Sequence, residues 1–272
     1  QNTKNVELIA RIFGFMMSDG SCGIYTHGPQ IQLTFGSKID SEEFMDDMEK
    51  LGYSKNKVLE TWSEVQGVVH HSYQVIYNNS IATLMISLGM TLGKKTEKSS
   101  NCVPGWLMNG SKLVQREFLS GFQGGNGSKI RYNDLHGRKS PNFILNTTSQ
   151  SKNEEHKDSH VLFMNGIKKL FENFGVRCKN VYVTKNQQQA NRYCIHLPFE
   201  CSRSNIISYF ENIGYSYDHH KYIDSLAIYE YLKYQDDYIK KIDECKKDII
   251  AYQCKGFSIR QISEKLDITV QK

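Results

Sequence analysis

The chain has no apolar run approaching the roughly 20 residues that a membrane-crossing helix needs. Its opening stretch, QNTKNVELIARIF, has no secretory hydrophobic segment ahead of its first charges. These absences read as an intracellular protein with no membrane partner, cytoplasmic or nuclear according to host. CxxC pairs are also missing. The seven cysteines, at positions 22, 102, 178, 194, 201, 245 and 254, are odd in number and scattered, which fits reduced, packed thiols rather than a disulfide framework or a zinc site. Strong net charge is lacking too: the total is +5, but it is unevenly spread. Residues 1–110 carry nine Lys/Arg against eleven Asp/Glu, 111–217 carry fifteen against eight, and 218–272 carry ten of each. The basic middle suggests a polyanionic partner. With 272 residues and 39% apolar content the chain can bury one large core or two modest ones, so neither disorder nor a fibre is expected.

What is present is a repeat. Val6, Leu8, Ile9, Ile12, Phe13, Phe15 and Met16 recur at helical spacing, and Asp19-Gly20 ends the run. Two alternating strands follow, around SCGIYTH and QIQLTFG, then a helix over SEEFMDDMEKLGY, strands near KVLETW and HSYQVIY, and a helix over SIATLMISLGM. After VPGWLMNG the same order returns: helix KLVQREFLSGF, strands near SKIRY and NFILNTT, helix HVLFMNGIKKLFENFG, strands KNVYVTK and RYCIHLP, helix NIISYFENIGY. The endings match as well, Ser87-Leu88-Gly89-Met90 against Asn212-Ile213-Gly214-Tyr215. The predicted fold is therefore α+β: two αββαββα units related by a pseudo-twofold axis, with antiparallel, saddle-shaped sheets, over residues 1–100 and 101–221. Residues 222–272 predict a helical extension. Its end spaces Ile249, Ile250, Ile259, Ile262, Leu266 and Ile268 as a truncated helix-turn-helix would, with a third helix starting at Thr269.

Each unit opens on a related segment, IFGFMMSDG at 12–20 and LSGFQGGNG at 119–127. Gly14 and Gly121 each stand five positions before the terminal Asp19 or Asn126, and without Cβ atoms they let two helix backbones approach closely. Asp19 falls in the last turn of its helix, against the negative end of the macrodipole, which costs roughly 0.3–1 kcal/mol unless a cation compensates. Hard oxygen donors from Asp19, from a carbonyl such as Ser18 or Gly125, and from water and phosphate suit Mg²⁺ or another divalent cation.

These two segments resemble the paired motifs of LAGLIDADG homing endonucleases in their single-chain form, and VPGWL ahead of the second resembles the endonuclease domains of inteins. The sequence shows no N-terminal Cys and no terminal His-Asn, which reads as an excised or free-standing endonuclease. The resemblance implies a monomer that cuts a long, asymmetric double-stranded DNA site with divalent metal held by the two motif positions, Asp19 and Asn126. It also implies a lysine near each scissile phosphate, for which Lys95 and Lys221 are the candidates. Asn126 keeps an oxygen but lacks the charge expected there. Impaired cutting or nicking of a single strand follows, with DNA binding kept. The alternative is a non-cleaving binder on the same scaffold, an intron RNA maturase or a DNA-binding regulator.

Antiparallel ribbons fit a major groove about 12 Å wide, so outward strand positions should be polar and long. The candidates are Gln30, Gln32, Lys55 and Lys57 in the first half. In the second they are Lys129, Arg131, Arg138, Lys139, Asn142, Lys185, Gln187, Gln189 and Arg192.

Overall fold

A computed structural model of the protein describes residues 3–65, 67–98, 102–133, 142–186 and 191–269. The elements of the first repeat are α1 (Thr3–Ser18), β1 (Ser21–Tyr25), β2 (Gly28–Phe35), α2 (Lys38–Lys50), β3 (Leu59–Val65), β4 (Val68–Asn78) and α3 (Ser80–Ser87). A 3-10 turn at Lys95–Glu97 and the short α4 (Gly105–Met108) link it to the second. That repeat comprises α5 (Lys112–Asn126), β5 (Arg131–Asn133), β6 (Asn142–Ile144), β7 (Thr147–Asn153), α6 (Lys157–Glu172), β8 (Tyr182–Lys185), β9 (Arg192–Pro198) and α7 (Arg203–Asn212). α8 (His219–Cys254) and α9 (Ile259–Leu266) follow.

The fold is α+β, with two repeats whose sheets are antiparallel, the first αββαββα and the second αβββαββα because its second strand is split in two. In the first, the four strands run β1-β2-β4-β3. Ile31, Leu33 and Phe35 of β2 and Val75 and Tyr77 of β4 turn one face to the core. The second repeat departs from the single sheet that its sequence suggests. The segment read as one strand over NFILNTT breaks at Leu145-Asn146, giving a β5-β6 pair and a separate β7-β9-β8 sheet. Leu145 is buried at the break, and Asn146 gives its carbonyl to the Phe199 amide, so the chain turns away from β5 to pack that side chain.

A serine side chain opens one helix in each repeat: Ser37 accepts from the Asp40 amide and Ser111 from the Val114 amide, each at 3.3 Å. The α3 and α7 helices end on left-handed glycines, Gly89 at φ 107° and Gly214 at φ 64°, as their matched sequences require. The VPGWL linker folds back onto the first repeat. Trp106 donates to the Leu88 carbonyl at 3.0 Å and sets its ring edge-on to Phe13, centroids 5.4 Å apart.

The contact pattern divides the chain into Gln1–Ile228, which holds both repeats, and Tyr229–Lys272. Within the second unit, α9 carries a full capping box, with Ser258 and Gln261 exchanging hydrogen bonds. Ile262 is buried there, whereas Ile250 and Ile259 are exposed at 59% and 64%, so the six apolar positions do not share one core-facing side. The third helix expected from Thr269 extends outside the described residues.

Candidate active site

The two motif helices, α1 and α5, lie backbone to backbone. A methyl group placed on Gly14 would stand 2.1 Å from the Phe118 carbonyl oxygen, and one on Gly121 would stand 2.0 Å from that of Arg11. No side chain fits either position, so the spacing of the two glycines sets the helix approach directly. Phe13, Phe118 and Phe122 pack around this seam. Arg11 spans it, donating to Glu117 of α5 at 2.6 Å and to Asp47 of α2 at 2.7 Å, and Asp47 also accepts from the Tyr217 hydroxyl.

That approach brings the two helix ends together. A Cβ on Gly125 would lie 2.9 Å from the Asp19 carboxyl carbon and closer still to Ser18. Asn126, the next residue, therefore neighbours Asp19. The Asp19 side chain opens to solvent even though protein surrounds its stem. That crowding raises its pKa, Lys95 and Lys221 pull it back down, and Asp218 adds to the rise. The Asn126 amide nitrogen is buried with no hydrogen-bond partner among the described residues. A carboxylate oxygen there would bear a charge in place of that orphaned donor.

Each helix end holds one of the two candidate lysines. Lys95 Nζ donates to the Met16 carbonyl at 3.0 Å and also to that of Ser18; Lys221 Nζ donates to the Gly125 carbonyl at 3.1 Å and also to that of Gly124. The helix-end charge expected to need a cation thus has one within the protein, whether or not a metal ion adds to it. The chain supplies an ammonium at each end, a contact worth up to about 2 kcal/mol in such partly buried settings. The Ser18 and Gly125 carbonyls, expected as metal ligands, already accept from these ammonium groups, so a cation would share them or displace a lysine. Burial lowers the Lys95 pKa to about 8, against the pull of Asp19.

The two lysines are held differently. Lys221 pairs with Asp218 at 3.0 Å, and that carboxylate also caps the Lys221 amide at 2.9 Å. Around Lys95 the support comes from β7: Gln150 donates to the Met17 carbonyl at 2.8 Å, and Lys152 to the Lys95 and Lys98 carbonyls. Neither Asp218 nor the β7 pair was anticipated from sequence. The segment TTSQSKN is polar throughout, so no alternation marks which of its residues turn inward.

The expected groove-facing residues scatter more widely. Gln30 and Gln32 stand on the β2 face opposite the buried Ile31 and Leu33, with Gln32 donating to Gln74. Arg131 is exposed on β5, and Arg192 lies on the β9 face opposite Ile195 and Leu197. Asn142 opens β6. Lys55 and Lys57 are not strand residues: both precede β3, and Lys55 pairs with Asp46 and Glu49 of α2. Lys129 precedes β5 and pairs with Asp224 at 2.5 Å. Lys185 pairs in register with Tyr193, on the side of β9 that shares the face of buried Lys152, and not on the outward face. Its partner there is an aromatic ring, with Nζ 6.0 Å from the Tyr193 centroid. Arg138, Lys139, Gln187 and Gln189 lie outside the described residues.

No group of three or more His, Cys, Asp or Glu side chains capable of holding a metal occurs among the described residues. No helix among them is long and apolar enough to cross a membrane.

No protein-family model matches the chain. It is 32% identical over 246 residues to the tRNA-splicing ligase RtcB of Pyrococcus abyssi, covering 88% of this chain and 25% of that one. It is 26% identical over 274 residues to the replication factor C small subunit of Methanocaldococcus jannaschii, covering 97% and 14%. The same archaeon's DNA-directed RNA polymerase subunit Rpo1N is 25% identical over 251 residues, covering 88% and 18%. The chain thus spans a quarter or less of these relatives. Among solved structures, the homing endonuclease I-WcaI bound to its DNA recognition sequence aligns with a TM-score of 0.47 at 11% identity, over 76% of this chain and 80% of that one. The N-terminal LAGLIDADG domain of DUF199/WhiA aligns with a TM-score of 0.43 at 13% identity, over 77% and 82%.

Proposed function

We propose that this chain is a DNA endonuclease module of the homing type, with one hydrolytic centre intact at Asp19 and Lys95 and the other impaired at Asn126. The observation that carries the reading is the glycine-mediated contact of α1 and α5, which sets Asp19 beside residues 125 and 126 with a lysine on each helix end. Two acid positions, two lysines and solvent access over one seam match what two-strand phosphodiester cleavage requires.

The relatives support a module rather than a host activity. An RNA ligase, a replication factor and an RNA polymerase subunit share no single chemistry in their names, yet each resembles this chain over a minor part of its length. What they have in common is a segment of this size carried within them, as an intein carries its endonuclease. The activities in their names are therefore not assigned to this chain.

Asp19 and the Asn126 amide oxygen would hold a divalent cation, together with solvent and a DNA phosphate. The orphaned Asn126 amide nitrogen fits a position shaped for a second acid. The cation supplies Lewis acidity and a more acidic water. Lys95 and Lys221 neutralise phosphate charge where each strand crosses a helix end, and Asp19 orients the water that enters. Gln30, Gln32, Arg131 and Arg192 are available for groove and phosphate contacts with double-stranded DNA.

Asn126→Asp is expected to turn a protein that nicks one strand, or cuts neither, into one that cuts both in the presence of Mg²⁺ or Mn²⁺. Relaxation and linearisation of a target plasmid report this. The absence of linear product with the restored acid would favour the second reading, a non-cleaving nucleic-acid binder, which the neutral residue at 126 by itself would suit.

A further inference from the structure

Lys152 is a buried cation with no part in the proposed cleavage. It stands on β7 of the second repeat with 5% exposure, and no carboxylate pairs with it among the described residues. Burying an ammonium with no counter-charge is expensive, which makes such a group a candidate for a functional position where geometry also points to one. Its Nζ donates to the Lys95 carbonyl at 2.5 Å and the Lys98 carbonyl at 3.1 Å, bracketing the 3-10 turn that carries Lys95. Two positions earlier, Gln150 donates to the Met17 carbonyl at the end of α1. One strand of the second repeat thus grips both the end of the first motif helix and the turn that delivers its lysine. A cavity of about 10 Å³, the size of one water, lies among Met17, Lys95, Gln150, Lys152 and His160, so the grip leaves little slack. Lys221 is held differently: its ammonium pairs with Asp218, three residues before it, and the first repeat reaches its segment through Asp40, which accepts from the His219 amide at 2.7 Å, with no buried lysine among the described residues in the part that Lys152 plays.

We propose that Lys152 is a positioning residue for Lys95, a strut from the second repeat that fixes the first repeat's lysine against α1 and so governs the Asp19 centre alone. The inference rests on the nuclease reading above. It predicts a strand-specific defect, which a general stabilising role would not produce.

The test uses the full chain with Asn126→Asp, so that both centres work, and a duplex labelled separately on each strand. The strand served by the Asp19 centre is the one whose cutting Asp19→Asn abolishes. Lys152→Met is expected to slow cutting of that strand at saturating DNA by tenfold or more, with the other strand and the dissociation constant for DNA unchanged within threefold. Lys152→Gln, which keeps a donor for one carbonyl, is expected to fall between, and it carries the test if the Met variant does not fold. Amide hydrogen exchange over residues 93–98 should accelerate in both variants. Equal slowing of both strands, no slowing of either, or unchanged exchange would overturn the proposal. A parent protein that cuts neither strand before Lys152 is touched would sink the nuclease reading first and the positioning role with it.

Discussion

Single side chains decide how evenly matched the two proposed centres would be. Asp19 and Asn126 differ by one charge, so Asp19→Asn should remove whatever nicking the protein has while leaving DNA affinity within a few fold, as gel shift and nicking assays on one substrate would reveal. Lys152 leaves a second signature, in stability. Its folded pKa of about 8 lies below the 10.5 of an ordinary lysine, because burial disfavours the charge. Between those values the folded chain binds fewer protons than the unfolded one, so stability grows as pH rises and is lost as pH falls through 8. From pH 7 to 9.5 the protein should gain about 1–2 kcal/mol relative to Lys152→Met, read from paired urea denaturations. Parallel curves for the two proteins would remove the buried charge from the account.

At the scale of elements, the seam between α1 and α5 is the demanding one. Gly14→Ala puts a methyl group 2.1 Å from a backbone carbonyl that cannot move without its helix, so a loss of about 3 kcal/mol or more is expected in thermal or urea unfolding. A change under about 1 kcal/mol would mean that the helices can part. This seam was legible in the sequence because two glycines stand at equal distance from two helix stops, and periodicity alone places the helices around them. The lysines at the helix ends were found through family resemblance, and nothing in the residues around Lys95 or Lys221 singles them out. Only the first two residues of β7 were legible, as the end of the strand read over NFILNTT; its continuation through Asn153 and its orientation were not. In Thr148, Gln150 and Lys152 the inward face is as polar as the outward one, so alternation is silent where the strand reaches across to α1. The break at Leu145-Asn146 was hidden for a related reason: a buried leucine continues an apolar run whether the strand runs on or turns.

Across the whole molecule, the positive excess falls in residues 111–217, so in the proposed DNA complex the two repeats would take unequal shares of the phosphate contacts. Arg131→Ala should weaken DNA binding more than Gln30→Ala and reduce the salt dependence of the affinity by about one ion, whereas Gln30→Ala should leave that slope intact. Titrations at several salt concentrations distinguish the two, and equal slopes would dissolve the asymmetry. Two lysines expected to join in, Lys55 and Lys129, already pair with carboxylates of the chain, so their charge is partly balanced where they stand. The glycine seam reaches further than stability. With backbone resting on backbone, the proposed nuclease would carry a fixed ruler between its two helix ends, and any pair of breaks would inherit one constant stagger, whatever bases the grooves came to read.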